Sequence, residues 1–388
     1  MNNGTDPGVG PEALSMKAAL IYTDDYNRYD YGAGHPLRME RLRLTYDLID
    51  ACGLTRLPTA QVLPPEKGGE EWILGYHSRE YLEVLRSASV GVAVPGAYRF
   101  GLGPGDNPIF PGMYDAASLA VGGSLLAARL VASGEADRAF SFAGGLHHAF
   151  PDRASGFCYL NDAVIAIQFL LERGLRVCYV DIDAHHGDGV QHAFYRDPRV
   201  LTISTHERGD RLFPGTGFVD ELGEGPGTGY AVNVPLQPFT DDEVYLEAFE
   251  AIVPPLMKAF RPDVVVAQLG IDSHWTDPLT HLALTVNGFA RAVRRILDLS
   301  PRLVALGGGG YDLGNVARAW TIAWALMNGI EPPTDLPPGF RPGVSSFRAA
   351  TLWDPPHQET DEHRRWAREF ASRQVQRIQE TIFPLLAA

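Results

Sequence analysis

The amino-acid sequence predicts an α/β protein whose central sheet is largely parallel and covered by helices on both faces. Segments typical of strands alternate along the chain with segments typical of helices. Several strand segments, such as residues 263–269 and 302–306, are apolar almost throughout, as expected of strands with two buried faces. Four predicted strands run into polar residues of unusual type. In parallel sheets the carboxyl ends of the strands form the functional crevice, so we expect these residues to meet there.

The predicted strands are short runs of apolar and β-branched residues, bounded by charged residues, glycine or proline. They cover residues 16–23, 138–142, 177–180, 200–204, 230–234, 263–269 and 302–306. The predicted helices show apolar residues at helical spacing, and some begin with acidic residues, as the helix dipole favours. They cover a segment after Pro36 that carries Leu42, Leu44, Leu48 and Ile49, and residues 114–133, 161–173, 241–260, 286–299 and 361–383.

Two segments rich in glycine or proline interrupt this alternation. Residues 91–114 form a long loop that contains Asp106, and long loops in compact proteins are often functional. Residues 331–357 are rich in proline and are expected to be irregular. The closing helix carries four apolar residues at helical spacing that we expect to pack against the core: Trp366, Phe370, Ile378 and Ile382. No internal repeat or domain boundary is evident.

Length and composition are those of an ordinary globular protein, with 388 residues, 45% hydrophobic and 21% charged. The net charge of −14 argues against nucleic acid as a partner, because such binding needs clustered lysine and arginine. Three widely spaced cysteines without a CxxC motif indicate a reducing compartment, and we expect a cytoplasmic protein. Residues 1–15 are expected to be a flexible leader, and no apolar run long enough to predict a membrane partner is evident. The oligomeric state stays open.

The stretch RVCYVDIDAHHGDG at 176–189 is the strongest indication of chemistry. It begins as a buried strand and ends in five ionisable residues, which are costly to bury unless they are paired or bind a metal. Residues two apart in an extended segment share a face, so Asp181, Asp183 and His185 are expected to point the same way. Asp183 and His185 offer an oxygen and a nitrogen to a metal such as Zn²⁺. The alternative is a polar strand end that leads into a solvated turn.

A third metal ligand is expected just after another central strand. Asp272 in LGIDSH fits this position, and a set of Asp183, His185 and Asp272 leaves a position open for water, as in catalytic zinc sites. His274 is a competing candidate that lies two residues further on.

Two further elements are typical of acid–base and oxyanion chemistry. His147 and His148 follow a Gly-Gly turn, and histidine beside a carboxylate is suited to proton transfer near neutral pH. Asp181 and Asp188 are the candidate carboxylate partners. Tyr311 follows four glycines and is placed to donate a hydrogen bond to a developing oxyanion. The alternative is a tyrosine that packs at the edge of a loop.

At these residues the sequence resembles the zinc-dependent histone deacetylase family, and its class I-like members in particular. The matching motifs are GHPLRMER (34–41), GGLHHAF (144–150), SGFCYLNDAV (155–164), VDIDAHHGDGV (180–190), FPGTG (213–217), QLGIDS (268–273) and GGGGY (307–311). They occur in the family's order over about residues 16–330. The resemblance implies an arginase-like, three-layer α/β/α fold with an eight-stranded, mainly parallel sheet. It also implies that residues 16–388 form a single catalytic domain with a proline-rich segment and a closing C-terminal helix.

The resemblance further implies a hydrolase that converts Nε-acetyl-lysine in proteins or peptides to lysine and acetate. Its metal would be Zn²⁺, with Fe²⁺ as a competitor, held by Asp183, His185 and Asp272. His147 and His148 would be the catalytic pair, backed by Asp181 and Asp188 respectively. We expect His148 to be the proton acceptor and donor, while Tyr311 polarises the carbonyl. The other positions that match the family are the substrate-binding Asp106, Gly156, Phe157, Phe213 and Leu279, the acetate-cavity residue Arg41, and a structural K⁺ site at Asp181, Asp183, His185 and Ser204.

The sequence leaves other activities open. His274 and Trp275 lie near the expected rim and differ from common family residues, which puts the substrate in question. A related enzyme would act on acetylpolyamines or other small acylated amines. A ureohydrolase of the arginase type needs a two-metal site, and Tyr311 with the adjacent histidine pair argues against it. An inactive protein that binds acyl-lysine is least favoured, because every expected catalytic position is filled.

Overall fold

A computed structural model describes residues 16–300, 302–340, 342, 347 and 349–386. The predicted leader at 1–15 therefore lies outside the described residues.

The described residues form one sheet of eight strands, all of them parallel. The strands are β1 Ala18–Ile21, β2 Ala60–Leu63, β3 Arg138–Ser141, β4 Val177–Asp181, β5 Val200–Glu207, β6 Ala231–Leu236, β7 Val264–Gln268 and β8 Leu303–Leu306. Their order across the sheet is β2-β1-β3-β8-β7-β4-β5-β6. The predicted eight-stranded parallel sheet is confirmed. One of its strands, β2, is absent from the strands predicted by sequence pattern, because AQVL is short and half-exposed at the sheet edge.

Eleven α-helices of the described residues surround the sheet. They are α1 Glu40–Ala51, α2 Glu70–Leu74, α3 Arg79–Ser89, α4 Met113–Ser133, α5 Asp162–Leu171, α6 Asp188–Phe194, α7 Asp242–Phe260, α8 Val286–Leu299, α9 Leu313–Met327, α10 Asp361–Thr381 and α11 Phe383–Leu386. Short 3₁₀ helices lie at Asp24–Arg28, Ala97–Phe100 and Gly225–Gly227.

The two faces of the sheet pack into two separate cores, which explains the apolar strands. In β4, Cys178 and Val180 join the core formed with α1, α7, α8, α9 and α10. The alternate residues Val177 and Tyr179 join the core formed with α3, α4, α5 and α6. Successive side chains of a strand point to opposite faces, so a strand in a sheet covered on both sides must be apolar throughout. The three-layer α/β/α architecture is thereby confirmed.

Helix α4 is the one helix among the described ranges that is long and apolar enough to cross a membrane. However, 72% of its most apolar window is buried inside the protein. It packs against α5 and β3, and this burial accounts for its apolar composition.

Candidate active site

The strand order brings four polar loops to one edge of the sheet. β3, β8, β7 and β4 are consecutive neighbours, and all run in the same direction. The loop with the histidine pair follows β3, and the loop with Asp183 and His185 follows β4. Asp272 follows β7 and Tyr311 follows β8. Four segments that are distant in sequence thus meet at the carboxyl ends of the central strands.

Asp183, His185 and Asp272 form a compact group of possible metal-binding atoms. One donor atom from each residue lies within 4.8 Å of the other two, and all three residues are buried. His185 Nδ1 lies 2.8 Å from Asp272 Oδ2 and 3.1 Å from Asp183 Oδ1. His274, the competing candidate, is turned elsewhere, because its Nε2–H donates to Asp354 at 2.8 Å.

Neighbouring groups orient both carboxylates of this group. Gln268 Nε2 donates to Asp183 Oδ2 at 2.6 Å, and the Gly309 backbone N–H donates to the same oxygen at 2.7 Å. The Ala184 backbone N–H donates to Asp272 Oδ1 at 2.8 Å. Such outer contacts fix the direction in which metal ligands point.

The charge of this group fits a bound cation. No lysine or arginine among the described residues lies within 4.0 Å of Asp183 or Asp272. Burial, with the adjacent Asp183 carboxylate, raises the pKa of Asp272 to about 6. Two buried carboxylates that lack a cationic side chain beyond histidine are stabilised by a divalent ion, and two oxygens with one imidazole nitrogen suit Zn²⁺ or Fe²⁺.

His147 and His148 are each paired with a carboxylate. His147 Nδ1–H donates to Asp181 Oδ2 at 2.8 Å, and His148 Nδ1–H donates to Asp188 Oδ1 at 2.7 Å. The Nε2 atoms of the two histidines face each other at 3.0 Å. Each carboxylate therefore fixes the tautomer of one ring and leaves its Nε2 directed into the site.

The two histidines differ in protonation. Burial opposes a charge on His147, but Asp181 and Asp183 outweigh it and raise the pKa of His147 to about 9. Burial and the charge of His147 lower the pKa of His148 to about 4. His148 is thus the neutral ring of the pair near pH 7.

Apolar rings stand beside these groups. The ring of Phe157 meets Tyr311 edge-on, with centroids 5.7 Å apart. Phe213 packs edge-on against His148 at 5.0 Å and leaves 42% of its surface exposed. Gly156 lies between His148 and Phe213, as the space around its Cα shows. These three predicted substrate-binding residues lie around the histidine pair and Tyr311.

A small cavity lies beside the histidine pair and Tyr311. Its volume is about 20 Å³, which is room for a water molecule. Its walls include Arg41, His147, His148, Asp183 and Tyr311. Arg41 is buried and donates from Nη1 to the carbonyls of Gly308 at 2.7 Å and Gly310 at 3.2 Å.

The remaining predicted site residues lie further out. Asp106 is exposed, and its backbone carbonyl accepts a hydrogen bond from His35 Nε2–H at 3.2 Å. His35 in turn packs on Phe157 at 4.6 Å, which joins the Asp106 loop to the apolar wall. Leu279 is half-buried. Ser204 is the register neighbour of Asp181 across β5 and β4, but its hydroxyl lies 2.8 Å from His206 Nδ1, and the K⁺ site stays a prediction.

Sequence patterns did not single out several residues that build the site. Asp162 accepts the backbone N–H groups of Gly145 at 2.9 Å and Leu146 at 2.8 Å, and so fixes the turn before His147. The available signal was its place in SGFCYLNDAV, at the first position of α5. Gln268 and Asp277 are further examples, and only a strand-end position and nearness to Asp272 pointed to them.

Comparison with known proteins assigns the family. The model of the histone deacetylase domain matches residues 35–327. Acetoin utilization protein AcuC of Bacillus subtilis (strain 168) is 42% identical over 329 residues, which cover 83% of this chain and 84% of that protein. Histone deacetylase 1 of Homo sapiens is 41% identical over 329 residues, which cover 84% of this chain and 67% of that protein.

A solved structure agrees with these matches. The crystal structure of an HDAC homolog from Aquifex aeolicus has a TM-score of 0.85 and 32% sequence identity, and the match covers 94% of this chain and 100% of that chain. The chain belongs to the histone deacetylase family, and the resemblance seen in its motifs is confirmed. It is therefore a hydrolase of a metal-dependent deacetylase family, with a buried Asp-His-Asp group that could hold the metal.

Proposed function

We propose that this protein hydrolyses Nε-acetyl-lysine in proteins or peptides to lysine and acetate, with Zn²⁺ held by Asp183, His185 and Asp272. The observation that carries the proposal is the pair of carboxylate-backed histidines, whose Nε2 atoms are 3.0 Å apart, beside this donor group. Fe²⁺ suits the same donors and is a competitor in cells.

Each side chain has a role in this reaction. When bound, the metal polarises the acetyl carbonyl and lowers the pKa of the attacking water. Neutral His148 accepts the proton of that water, and the proton then passes to the amine nitrogen as the C–N bond breaks. His147, held by Asp181, adds positive charge beside the developing oxyanion. The hydroxyl of Tyr311 donates a hydrogen bond to the same oxyanion.

The apolar walls support acyl-lysine as the substrate. A lysine side chain carries four methylenes that must lose water before the acetyl group reaches the metal. Phe157 and Phe213 provide apolar surface next to His148 and Tyr311. Asp106, Gly156 and Leu279 complete the proposed substrate-binding set, with Asp106 accepting hydrogen bonds from the substrate backbone.

An acetylpolyamine is the second candidate substrate. The carboxylate of Asp106 is exposed on its loop and makes no ion pair with any residue in the part of the chain that the structure describes. A free carboxylate near the entrance also suits a second ammonium group on a small substrate.

We also propose that residues 16–388 form one catalytic domain, and that the protein is located in the cytoplasm. The two cores share a single sheet, which supports the first point. Cys52, Cys158 and Cys178 are all free thiols, which is typical of a reducing compartment.

The first experiment offers the zinc-loaded protein an acetyl-lysine peptide and acetylspermidine together. Loss of acetyl groups is followed by mass spectrometry, with Tyr311→Phe as the matched control. We expect faster turnover of the peptide, and a loss of about 10²–10³-fold in rate for Tyr311→Phe, because one oxyanion donor is removed. Preferential turnover of acetylspermidine would move the substrate to the polyamines. If the wild type deacetylates neither substrate faster than Tyr311→Phe does, the proposal is wrong.

A further inference from the structure

Asp277, in the loop between β7 and α8, holds two backbone N–H groups with one buried carboxylate. Its Oδ1 accepts from the Leu279 N–H at 3.0 Å, and its Oδ2 accepts from the Tyr311 N–H at 2.9 Å. The residue is 8% exposed. No arginine, lysine or histidine of the described ranges lies within 4.0 Å of this carboxylate, so backbone donors alone satisfy it.

Tyr311 needs such a support because of the residues before it. It follows four glycines, and Gly308 and Gly310 have φ of +121° and +139°. Glycine permits many backbone conformations, so this run does not by itself fix the direction of the next side chain. Arg41 holds the carbonyls of Gly308 and Gly310. Among the described residues, the hydrogen bond that the Tyr311 N–H donates to Asp277 is the one that acts on the backbone of Tyr311 itself.

The loop that carries Asp277 is itself fixed. The Asp277 N–H donates to the His274 carbonyl at 2.8 Å. The hydroxyl of Thr280 donates to the backbone carbonyl of Asp272. At the end of the loop, Glu207 accepts from the backbone N–H of His281 at 2.7 Å and from its Nδ1–H at 3.0 Å. The Asp277 carboxylate therefore has a defined position relative to the Asp272 loop and to β5.

We infer that Asp277 is a positioning residue, which holds Tyr311 where its hydroxyl reaches the developing oxyanion. The inference rests on the proposed role of Tyr311. Asp277 touches neither substrate nor metal and acts through the backbone of Tyr311. Its removal should lower kcat far more than it raises KM, because the oxyanion exists only in the transition state.

The test is a double-mutant cycle that combines Asp277→Asn with Tyr311→Phe. Asparagine keeps the shape of the aspartate side chain but replaces one accepting oxygen with an NH2 group, which then faces a backbone N–H group. Rates with the acetyl-lysine peptide are measured in the wild-type and Tyr311→Phe backgrounds. We expect a loss of about 10- to 100-fold in kcat in the wild type, the scale of a misplaced catalytic group. In the Tyr311→Phe background we expect less than about twofold further loss, because residues that act as a unit are not additive.

Two controls separate this role from others. The first control is Asp242→Asn. The Asp242 carboxylate also joins two segments, because it accepts hydrogen bonds from the N–H and the hydroxyl of Thr285, but it lies away from the site. This variant should leave kcat unchanged. A second cycle with Leu279→Ala, which removes the side chain but keeps the N–H that Asp277 holds, tests whether Asp277 acts through the Leu279 side chain, and here the two losses should multiply. Metal content and unfolding midpoint are measured for every variant, and we expect full metal in Asp277→Asn.

If Asp277→Asn lowers kcat equally in the wild-type and Tyr311→Phe backgrounds, Asp277 does not act through Tyr311, although the proposed role of Tyr311 still stands. The same conclusion follows if Asp277→Asn no longer lowers kcat in the Leu279→Ala background. A near-normal rate for Tyr311→Phe would instead show that Tyr311 is not the oxyanion donor, and the positioning role inferred for Asp277 would fail with it. If Asp277→Asn does not fold, Asp277→Glu keeps the carboxyl group, displaces both oxygens and enters the same cycles.

Discussion

Gly156 occupies a position between His148 and Phe213 that leaves no room for a side chain. Its φ is +50°, and a Cβ would lie 2.5 Å from His148 Cδ2 and 2.8 Å from Phe213 Cε1. Gly156→Ala should displace one of these rings and lower kcat/KM by about 10- to 100-fold, the scale of a misplaced catalytic group. The rate with the acetyl-lysine peptide and the thermal midpoint measure the effect.

Gly174→Ala is the matched control for Gly156→Ala. Gly174 also has a positive φ, of +74°, but a Cβ there would meet nothing within 4 Å. The control therefore carries the backbone strain without the contact. If both variants lose the same amount of activity, the contact with His148 does not matter.

At the scale of the residue, the sequence was enough to predict which neighbouring residues beyond one strand contribute to the site, but not which residues of different loops contact each other. Asp183 and His185 both contribute to the donor group, but residues 183–185 form a bend beyond β4 and not the extended segment expected, and the structure brings Asp272 to them. Nothing in the sequence around Asp277 reveals that its carboxylate meets the Tyr311 N–H, 34 residues further on. That contact depends on the path of two loops, which have no periodic pattern.

Asp354 joins the segment before α10 to two other helices. It accepts the Nε2–H of His274, the Val286 N–H at the start of α8, and an N–H of Arg318 in α9, at 2.8, 2.8 and 2.7 Å. Asp354→Asn replaces one acceptor with a donor, and should lower the free energy of unfolding by about 1–3 kcal/mol, the cost of unsatisfied buried groups. Urea unfolding at pH 7 measures the change.

The pH dependence of this effect has a definite sign. Burial opposes the ionised form of Asp354, but His274 and Arg318 outweigh it and hold the pKa of Asp354 well below its usual range. A lowered folded-state pKa contributes stability that is present above the unfolded value of about 3.9 and is lost as the pH falls toward the folded value. The difference between wild type and Asp354→Asn should therefore shrink below about pH 4.

A surface carboxylate is the control for Asp354. Asp220 is 67% exposed and pairs with Arg377. Asp220→Asn should therefore change the free energy of unfolding little at pH 7 or at pH 3. A difference between wild type and Asp354→Asn that stays constant from pH 7 to pH 3 would contradict the ionic role of Asp354.

At the scale of the element, long patterned helices and apolar strands were predictable. Helix α8 has the predicted bounds, and α7 differs by one residue at its start. The pattern missed α9, because all fifteen residues from Leu313 to Met327 are buried and the helix therefore shows no polar face. The packing role predicted for Trp366 is wrong, since 42% of it is exposed, whereas Ile378 and Ile382 are fully buried.

Removal of the metal should destabilise the whole molecule. Asp183 and Asp272 are buried together without a lysine or arginine in the described part of the chain to pair with them. A metal at a hundredfold excess over its Kd stabilises a protein by about 2.7 kcal/mol. A chelator should therefore lower the thermal midpoint of the wild type. Asp272→Ala should contain no metal, show no activity and be insensitive to the chelator.

His274→Ala is the control for the metal ligands, because His274 was the rival candidate and its ring is bonded to Asp354. This variant should keep full metal content by elemental analysis. An Asp272→Ala protein that retains its metal but not its activity would show that the ligand assignment is wrong.

At the scale of the whole molecule, the order of motifs along the chain was enough to predict the fold and its eight strands, although neither the motifs nor the local pattern located β2. Composition contributed less, because many α/β enzymes share it. The substrate was not predictable, since it depends on loops such as 91–114 and on the surface around Trp275, where neither periodicity nor spacing constrains the shape.

The place of β8 in the sheet determines when the active site can form during synthesis. β8 is the last strand of the described chain, yet it lies in the middle of the sheet, between β3 and β7. Before it is made, β2-β1-β3 and β7-β4-β5-β6 have no strand to join them. The proposed metal donors all belong to the second group, while His147 and His148 follow β3 in the first. The strands that carry the proposed metal donors can thus pair before β8 is made, but Gly309, whose N–H orients Asp183, and the loop with the histidine pair join them only after β8 is in place.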